Sequence, residues 1–190
     1  MERDQVAAAV AGARQTRCPL SLLLVQIDNF DDLIITRGVE GASAMTRLLE
    51  AVVRAVNEGG GACLPTDEAG FAAIWENCDR QQGVELGRKL VAGIRDWSKQ
   101  RGEECGLSMT VSAGVATVTL PPKNFPAQDL IEAAQRCLYA AQSSGGDGLK
   151  SSAFTAYEPM EGEIKAQPGG VLVASERGVA VTYGLLNAQG

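Results

Sequence analysis

The chain contains no histidine among its 190 residues. That absence removes imidazole metal ligands, and it removes every arrangement in which a histidine activates a serine or cysteine nucleophile. Any chemistry that the chain performs must therefore depend on carboxylates, lysines, thiols or a metal ion held by oxygen atoms.

Closely spaced cysteine pairs are also missing. The five cysteines are odd in number and none forms a CxxC pair; they are Cys18, Cys63, Cys78, Cys105 and Cys137. This spacing predicts neither a disulfide framework nor a zinc site. We interpret the five thiols as small apolar side chains in a reducing compartment.

The chain lacks a long apolar run and an excess of basic residues. Its longest apolar stretch, Pro19 to Val25, is too short to span a bilayer, and the acidic start at Met1–Asp4 is unlike a signal peptide. With 17 basic and 23 acidic residues, the net charge of −6 argues against nucleic acid or an anionic membrane as a partner. We therefore expect a cytoplasmic protein.

The composition that is present, 45% hydrophobic and 21% charged, is that of a globular protein able to bury a core without disulfides. Along the chain, segments whose apolar residues have helical spacing alternate with segments that have the spacing of strands. The predicted helices cover residues 5–14, 39–56, 83–97 and 126–142, and the predicted strands cover residues 20–27, 62–64, 71–75, 107–120 and 153–157.

The element order β-α-β-β-α-β, followed by α-β, predicts an α+β fold of the ferredoxin-like type, with an antiparallel sheet covered on one face by helices. We expect one domain over residues 1–157, a polar linker over 158–169 and a C-terminal β-hairpin extension over 170–190. Because an isolated hairpin is not stable in water, the extension must pack on the domain or on a partner.

Three local sequences lie on these predicted elements: PLSLLLVQIDNF at residues 19–30, MTVSAGVA at 109–116 and AAQRCLYAAQSSG at 133–145. Their order and positions resemble the GGDEF (diguanylate cyclase) domain family from Arg3 to about Tyr157. The resemblance implies the nucleotide-cyclase type of fold, with a GTP and divalent-cation site built on the first strand, the following helix and the central hairpin.

The positions that the family uses for metal and guanine are replaced in this sequence. The family's first metal-binding Asp corresponds to Gln26, and its two base-reading residues correspond to Ile34 and Ser43. A neutral amide is a poor ligand for a hard divalent cation. The family lysine that faces phosphate corresponds to Asp31, which reverses the charge.

The signature hairpin is replaced as well. Aligned on Phe71, the family's five residues become Asp67, Glu68, Ala69, Gly70 and Phe71, so both glycines and the metal-binding Glu are lost. Placing Asp67 and Glu68 on the two family acids instead would break the match of the following strand, and we reject that register. We expect ordinary turn chemistry here, with Gly70 supplying a left-handed residue.

The remaining phosphate contacts are also missing. The lysine of the last family helix corresponds to Gln142, and the arginine after its glycine corresponds to Gly146. The R-x-x-D motif for product inhibition would fall on residues 58–61, which read EGGG.

We therefore interpret the chain as a catalytically inactive relative that serves as a regulatory or protein-interaction module in a bacterial signalling protein. We expect a protein partner or self-association, no cofactor, and no binding of GTP or cyclic di-GMP. We expect the two tryptophans, Trp75 and Trp97, to belong to the core rather than to a ligand platform.

Two alternatives stay open at this point. One is an enzyme with a rearranged site built from carboxylates at Asp28, Asp31, Asp32, Asp67 and Glu68. The first three of these would otherwise face solvent or cap the next helix. The other alternative is a binding module that uses the less charged cleft floor of Gln26, Ile34 and Ser43 for a different small ligand.

Overall fold

The structure, a computed structural model, describes residues 3–57, 61–66, 69–105, 109–156, 170–174 and 179–184. The predicted linker lies outside the described residues. The helices are α1 (Arg3–Thr16), α2 (Phe30–Val56), α3 (Arg80–Cys105) and α4 (Ala127–Ser143). The strands are β1 (Leu20–Ile27), β2 (Gly61–Pro65), β3 (Gly70–Glu76), β4 (Val111–Val118), β5 (Leu149–Ala156), β6 (Gly170–Ala174) and β7 (Val179–Gly184).

The described strands form one sheet in the order β2-β3-β1-β4-β5-β7-β6. The first four follow the ferredoxin-like arrangement, and β5 joins them parallel to β4 after the crossover through α4. Every other neighbouring pair is antiparallel. The predicted α+β cyclase-type fold is confirmed, as a mixed rather than a fully antiparallel sheet.

The expectation that helices cover only one face of the sheet is wrong. On one face, Leu23, Val25 and Ile27 of β1 pack with α2 and α3. On the other, Leu20, Leu22 and Leu24 pack with α1 and α4. Because alternate residues of a strand point to opposite faces, the unbroken apolar run of β1 supplies both core clusters.

The second helix differs most from its predicted bounds. It begins at Phe30 rather than at residue 39, and a non-helical Gly38 (φ 69°, ψ 176°) divides it into two segments. The first segment carries Ile34, Ile35 and Thr36, whose branched side chains lower helix propensity and weaken the local signal.

Other boundaries shift by smaller amounts. The third helix continues to Cys105, whereas the fourth strand is shorter than predicted and the fifth begins earlier, at Leu149. The two terminal strands pair with each other, and β7 joins the domain's own sheet at β5. The division into a domain and an extension stays a prediction. None of the helices in the described part of the chain is long and apolar enough to cross a lipid bilayer.

Candidate functional site

Three of the candidate signature positions, Gln26, Gly70 and Gln142, lie where the central strand ends. Gln26, near the end of β1, is in register with Gly70 on one neighbouring strand and with Ser112 on the other. Gln26 is half-buried, and Gly70 and Ser112 are buried. The sheet ladder thus fixes the backbone on both sides of the position where the resemblance places a metal-binding carboxylate.

Two of the replaced residues bind each other. The Nε2 of Gln142, in the last turn of α4, donates a hydrogen bond of 2.7 Å to Oε1 of Gln26. Both side chains are neutral amides, so neither offsets the charge of a cation or of a phosphate. This hydrogen bond between two amide side chains connects the end of β1 to the last turn of α4.

Gly70 has no room for a side chain. A Cβ there would clash with the carbonyl oxygen of Val25 and would lie 2.9 Å from Oγ1 of Thr66. The expectation that Gly70 is left-handed is wrong, because it belongs to the extended ladder of β3. Among the described residues of the turn, Ala69 is left-handed, with φ 44°. Glycine is needed at position 70 for close approach between strands.

Asp28 is held by the protein itself. Its Oδ1 accepts a hydrogen bond of 2.7 Å from Ser112 Oγ, and its Oδ2 accepts bonds of 2.8 Å from Thr110 Oγ1 and 2.9 Å from the backbone N–H of Asp147. The carboxylate therefore connects the end of β1 to β4 and to the loop between α4 and β5.

That loop is fixed by a second set of contacts. Arg95 of α3 donates from Nε to Asp147 Oδ2 at 2.8 Å and from Nη2 to the Asp147 carbonyl oxygen at 3.0 Å. Gly146 has φ 75°, and a Cβ on it would lie 2.9 Å from the Asp28 carboxylate. Gly146, which the resemblance aligns with a family arginine, thus packs closely against Asp28, and the position favours glycine.

Among the described residues, the proposed carboxylates do not come together around Asp28. Asp31 and Asp32 lie exposed in the first turn of α2, where negative charge stabilises the helix N-terminus. Asp67 and Glu68 lie outside the described residues. Within the described part of the chain, no three acidic or cysteine side chains come together as a metal site.

The other candidate positions are spread along the chain. Ile34 is half-buried and Ser43 is exposed, and they lie on either side of the break at Gly38. Phe71 is buried in the core cluster that also includes Trp75, and Trp97 packs against that cluster. The assignment of both tryptophans to the core is confirmed.

The residues described at this end of the sheet do not fit a divalent cation of the kind that the fold family implies. Gln26 offers one neutral oxygen that already accepts a bond from Gln142. Gly70 offers no side chain, and both oxygens of Asp28 accept bonds from the protein. Mg²⁺ favours ionised carboxylates that are free to coordinate it.

A separate pocket of about 330 Å³ opens at the opposite end of the sheet, lined in part by Trp75, Glu85 and Lys89. Its inner wall is fixed by a hydrogen bond of 2.6 Å from Trp75 Nε1 to Asn57 Oδ1. Burial raises the pKa of the Cys78 thiol in this wall, so the thiol stays protonated at neutral pH and is a weak nucleophile.

Comparison with known proteins identifies a domain family. A sequence model described as "Diguanylate cyclase, GGDEF domain" matches residues 3–148. The fold is similar to the GGDEF domain and coiled coil of DgcB from Caulobacter crescentus, solved with c-di-GMP (TM-score 0.69, 20% identity, 78% of this chain and 77% of that one). It is equally similar to the active GGEEF domain of a diguanylate cyclase from Vibrio cholerae (TM-score 0.69, 21% identity, 77% and 93%).

One curated protein shares a short segment with the chain. The large ribosomal subunit assembly factor BipA of Synechocystis is 41% identical over 44 residues. The match covers 23% of this chain and only 7% of that factor.

Proposed function

The chain belongs to the GGDEF domain family of diguanylate cyclases, and from that premise we propose that this member is catalytically inactive and acts as a regulatory or protein-interaction module in a bacterial signalling protein. The observation that carries the proposal is the hydrogen bond between Gln26 and Gln142. The resemblance places a metal carboxylate and a phosphate-binding lysine at these two positions, and here two uncharged amides satisfy each other.

The charges missing from the site are those that phosphoryl chemistry depends on. Nucleotide cyclisation gathers negative charge on the triphosphate, and cations fixed in advance supply most of its stabilisation. Removing one such contact typically raises the barrier by about 3 kcal/mol. The replacements at Gln26, Gly70 and Gln142 remove two metal carboxylates and one cation, which together would suppress detectable turnover.

The packing at Gly70 supports the same proposal. A carboxylate cannot be restored there by one substitution, because its Cβ would displace the backbone of Val25. The backbone of the neighbouring strand occupies the space that a side chain at position 70 would need. The strand pairing therefore supports the proposed loss of this carboxylate, in addition to the residue type.

A role in protein interaction is supported by apolar side chains on the surface. Ile35 is 80% exposed and Val39 is 72% exposed, four positions apart across the break at Gly38. Large apolar side chains that stay exposed to water are candidates for contact with a partner protein.

The direct test of inactivity is release of pyrophosphate from GTP. We expect the purified chain to release none above background with either Mg²⁺ or Mn²⁺, because the described site holds neither the metal carboxylates nor the phosphate cation. The active GGEEF domain from Vibrio cholerae is the positive control under the same conditions. Steady pyrophosphate release by this chain would overturn the proposal and favour the enzyme with a rearranged site.

A further inference from the structure

The first part of α2 is held to the domain by few contacts. From residue 29 to residue 41 no side chain is buried. Phe30 and Leu33 pack on the core cluster beneath α2, whereas Ile35 and Val39 are 80% and 72% exposed. Two large branched side chains therefore remain in water on a segment whose packing on the core does not use them.

Acidic side chains surround this exposed apolar surface. Asp31 and Asp32 lie four and three positions before Ile35, so they share its face of the helix. Glu40 adds a third negative charge just beyond the break in the helix. The one basic residue of this segment, Arg37, lies two positions after Ile35, a spacing that turns its side chain away from that face.

The two aspartates have charges that the protein does not use in ion pairs. Within the described part of the chain, neither Asp31 nor Asp32 forms a salt bridge or accepts a hydrogen bond at its carboxylate. Glu50, later in the same helix, is instead paired with Arg54 at 2.7 Å. The helix N-terminus favours negative charge at both aspartates, and it leaves their outer oxygens open to a cationic group from outside the chain.

The charge of this surface discriminates between possible occupants. A second copy of the chain would bring the same negative charges to the contact, and each copy has a net charge of −6. The chain's own segment over residues 158–169 carries three glutamates and one lysine, so it is repelled as well. A protein segment with basic side chains around an apolar one matches both the charge and the apolar character of the surface.

We propose that this surface of α2 docks a basic segment of a partner protein. In that segment, lysine or arginine side chains flank a large apolar side chain, which covers Ile35 and Val39. The basic side chains pair with the carboxylates of Asp31 and Asp32. Because no residue between positions 29 and 41 is buried, this part of α2 adjusts to the partner with little loss of core packing. The inference rests on the proposed role in protein interaction and specifies the chemistry of the partner.

A pair of synthetic peptides tests the chemistry of the partner. One is an amphipathic helix of leucine and lysine labelled with fluorescein, and the other carries glutamate in place of each lysine. Each is titrated with the full chain and followed by fluorescence polarisation. We expect saturable binding of the Leu/Lys peptide and no binding of the Leu/Glu peptide at the same concentrations, because only the first complements the acidic surface.

A matched pair of apolar substitutions locates the docking surface. Ile35→Thr removes the apolar contact beside the aspartates. Tyr139→Thr removes an apolar side chain of similar exposure on α4, one turn after Gln135 and Arg136 rather than after two carboxylates. We expect Ile35→Thr to weaken binding of the Leu/Lys peptide about tenfold. We expect Tyr139→Thr to change it by less than about twofold.

A second pair of substitutions tests the charges independently of Ile35. The double variant Asp31→Asn, Asp32→Asn is expected to weaken binding of the Leu/Lys peptide at least about threefold. The matched control is Asp4→Asn, which removes an exposed carboxylate from the first turn of α1 and should leave binding unchanged.

The results that would overturn the proposal are specific. They are an absence of saturable binding, equal binding of both peptides, native-like binding by Ile35→Thr, or equal losses in a variant and its matched control. Release of pyrophosphate from GTP is measured on the same samples. Failure of the docking surface is thereby distinguished from failure of the proposed inactivity.

Discussion

Replacing Gly114 with alanine is expected to remove a large part of the domain's stability. Gly114 lies in β4, and a Cβ added there would clash with the carbonyl oxygen of Ala134 and the amide nitrogen of Leu138. Both atoms belong to the backbone of α4, so no side-chain rotation relieves the overlap. The helix would have to move off the sheet, with the loss of its buried contacts at Leu130 and Ile131.

We expect Gly114→Ala to lower the free energy of unfolding by about 3 kcal/mol, at the upper end for overpacked cores. Urea denaturation followed by circular dichroism measures the change. The matched control is Gly12→Ala on α1, where an added Cβ meets nothing within 4 Å. That control should raise stability by about 0.5–1 kcal/mol. A Gly114→Ala domain within 1 kcal/mol of the native stability would contradict the packing described for α4.

The second large effect is expected at Asp28. Asp28→Ala removes an acceptor for three donors and leaves the hydroxyl of Ser112, which is fully buried, without that partner. Leaving buried donors unsatisfied costs about 1–3 kcal/mol each, less where water reaches them. We therefore expect the free energy of unfolding to fall by about 3 kcal/mol, measured by urea denaturation.

The control for Asp28 is Asp31→Ala, which removes an exposed carboxylate from the same segment. It should lower stability by no more than about 1 kcal/mol, the contribution of an exposed negative charge at a helix N-terminus. Thermal denaturation with and without Mg²⁺ separates the two roles considered for Asp28. We expect no shift of the melting temperature of the native chain with Mg²⁺. Stabilisation by Mg²⁺ that Asp28→Ala abolishes would identify a cation ligand and contradict our assignment.

The sequence predicts the order of the helices and strands well, because the spacing of apolar residues in each segment follows either the helical or the strand period. It predicts poorly which faces of the sheet the helices cover, although the unbroken apolar sequence of β1 already indicates burial on both faces. Leu22 and Leu23 are adjacent and belong to different core clusters. An unbroken apolar strand therefore requires cover on both faces, and α1, whose alanine-rich sequence reveals little about its packing, supplies part of the second cover.

The sequence proposes the residue types of the candidate site but does not predict their contacts. The replacements at Gln26 and Gln142 are visible by comparison with the family motifs, but their hydrogen bond joins residues 116 positions apart. The partners of Asp28 are 82 to 119 positions away, so no local pattern identifies them. The one signal in the sequence is the loop GGDG, whose glycines indicate close backbone approach.

The turn at Ala69 shows a similar limit. Glycine is the usual left-handed residue, so Gly70 is the natural prediction from sequence. Strand pairing overrides that preference, because the partners of Gly70 in β1 require extended backbone and exclude a side chain. The left-handed conformation then falls on Ala69, at the cost of some local strain.

The cyclase-like domain is thus recognisable by the strands and helices that pack, whereas the proposed replacements fall on positions that the family resemblance assigns to metal, base and phosphate. Isothermal titration of the full chain with GTP, with and without Mg²⁺, tests the proposed loss of function most directly. We predict no saturable heat up to millimolar GTP, and no difference between the two conditions. Saturable binding with a micromolar dissociation constant, stronger with Mg²⁺ than without it, would contradict the account.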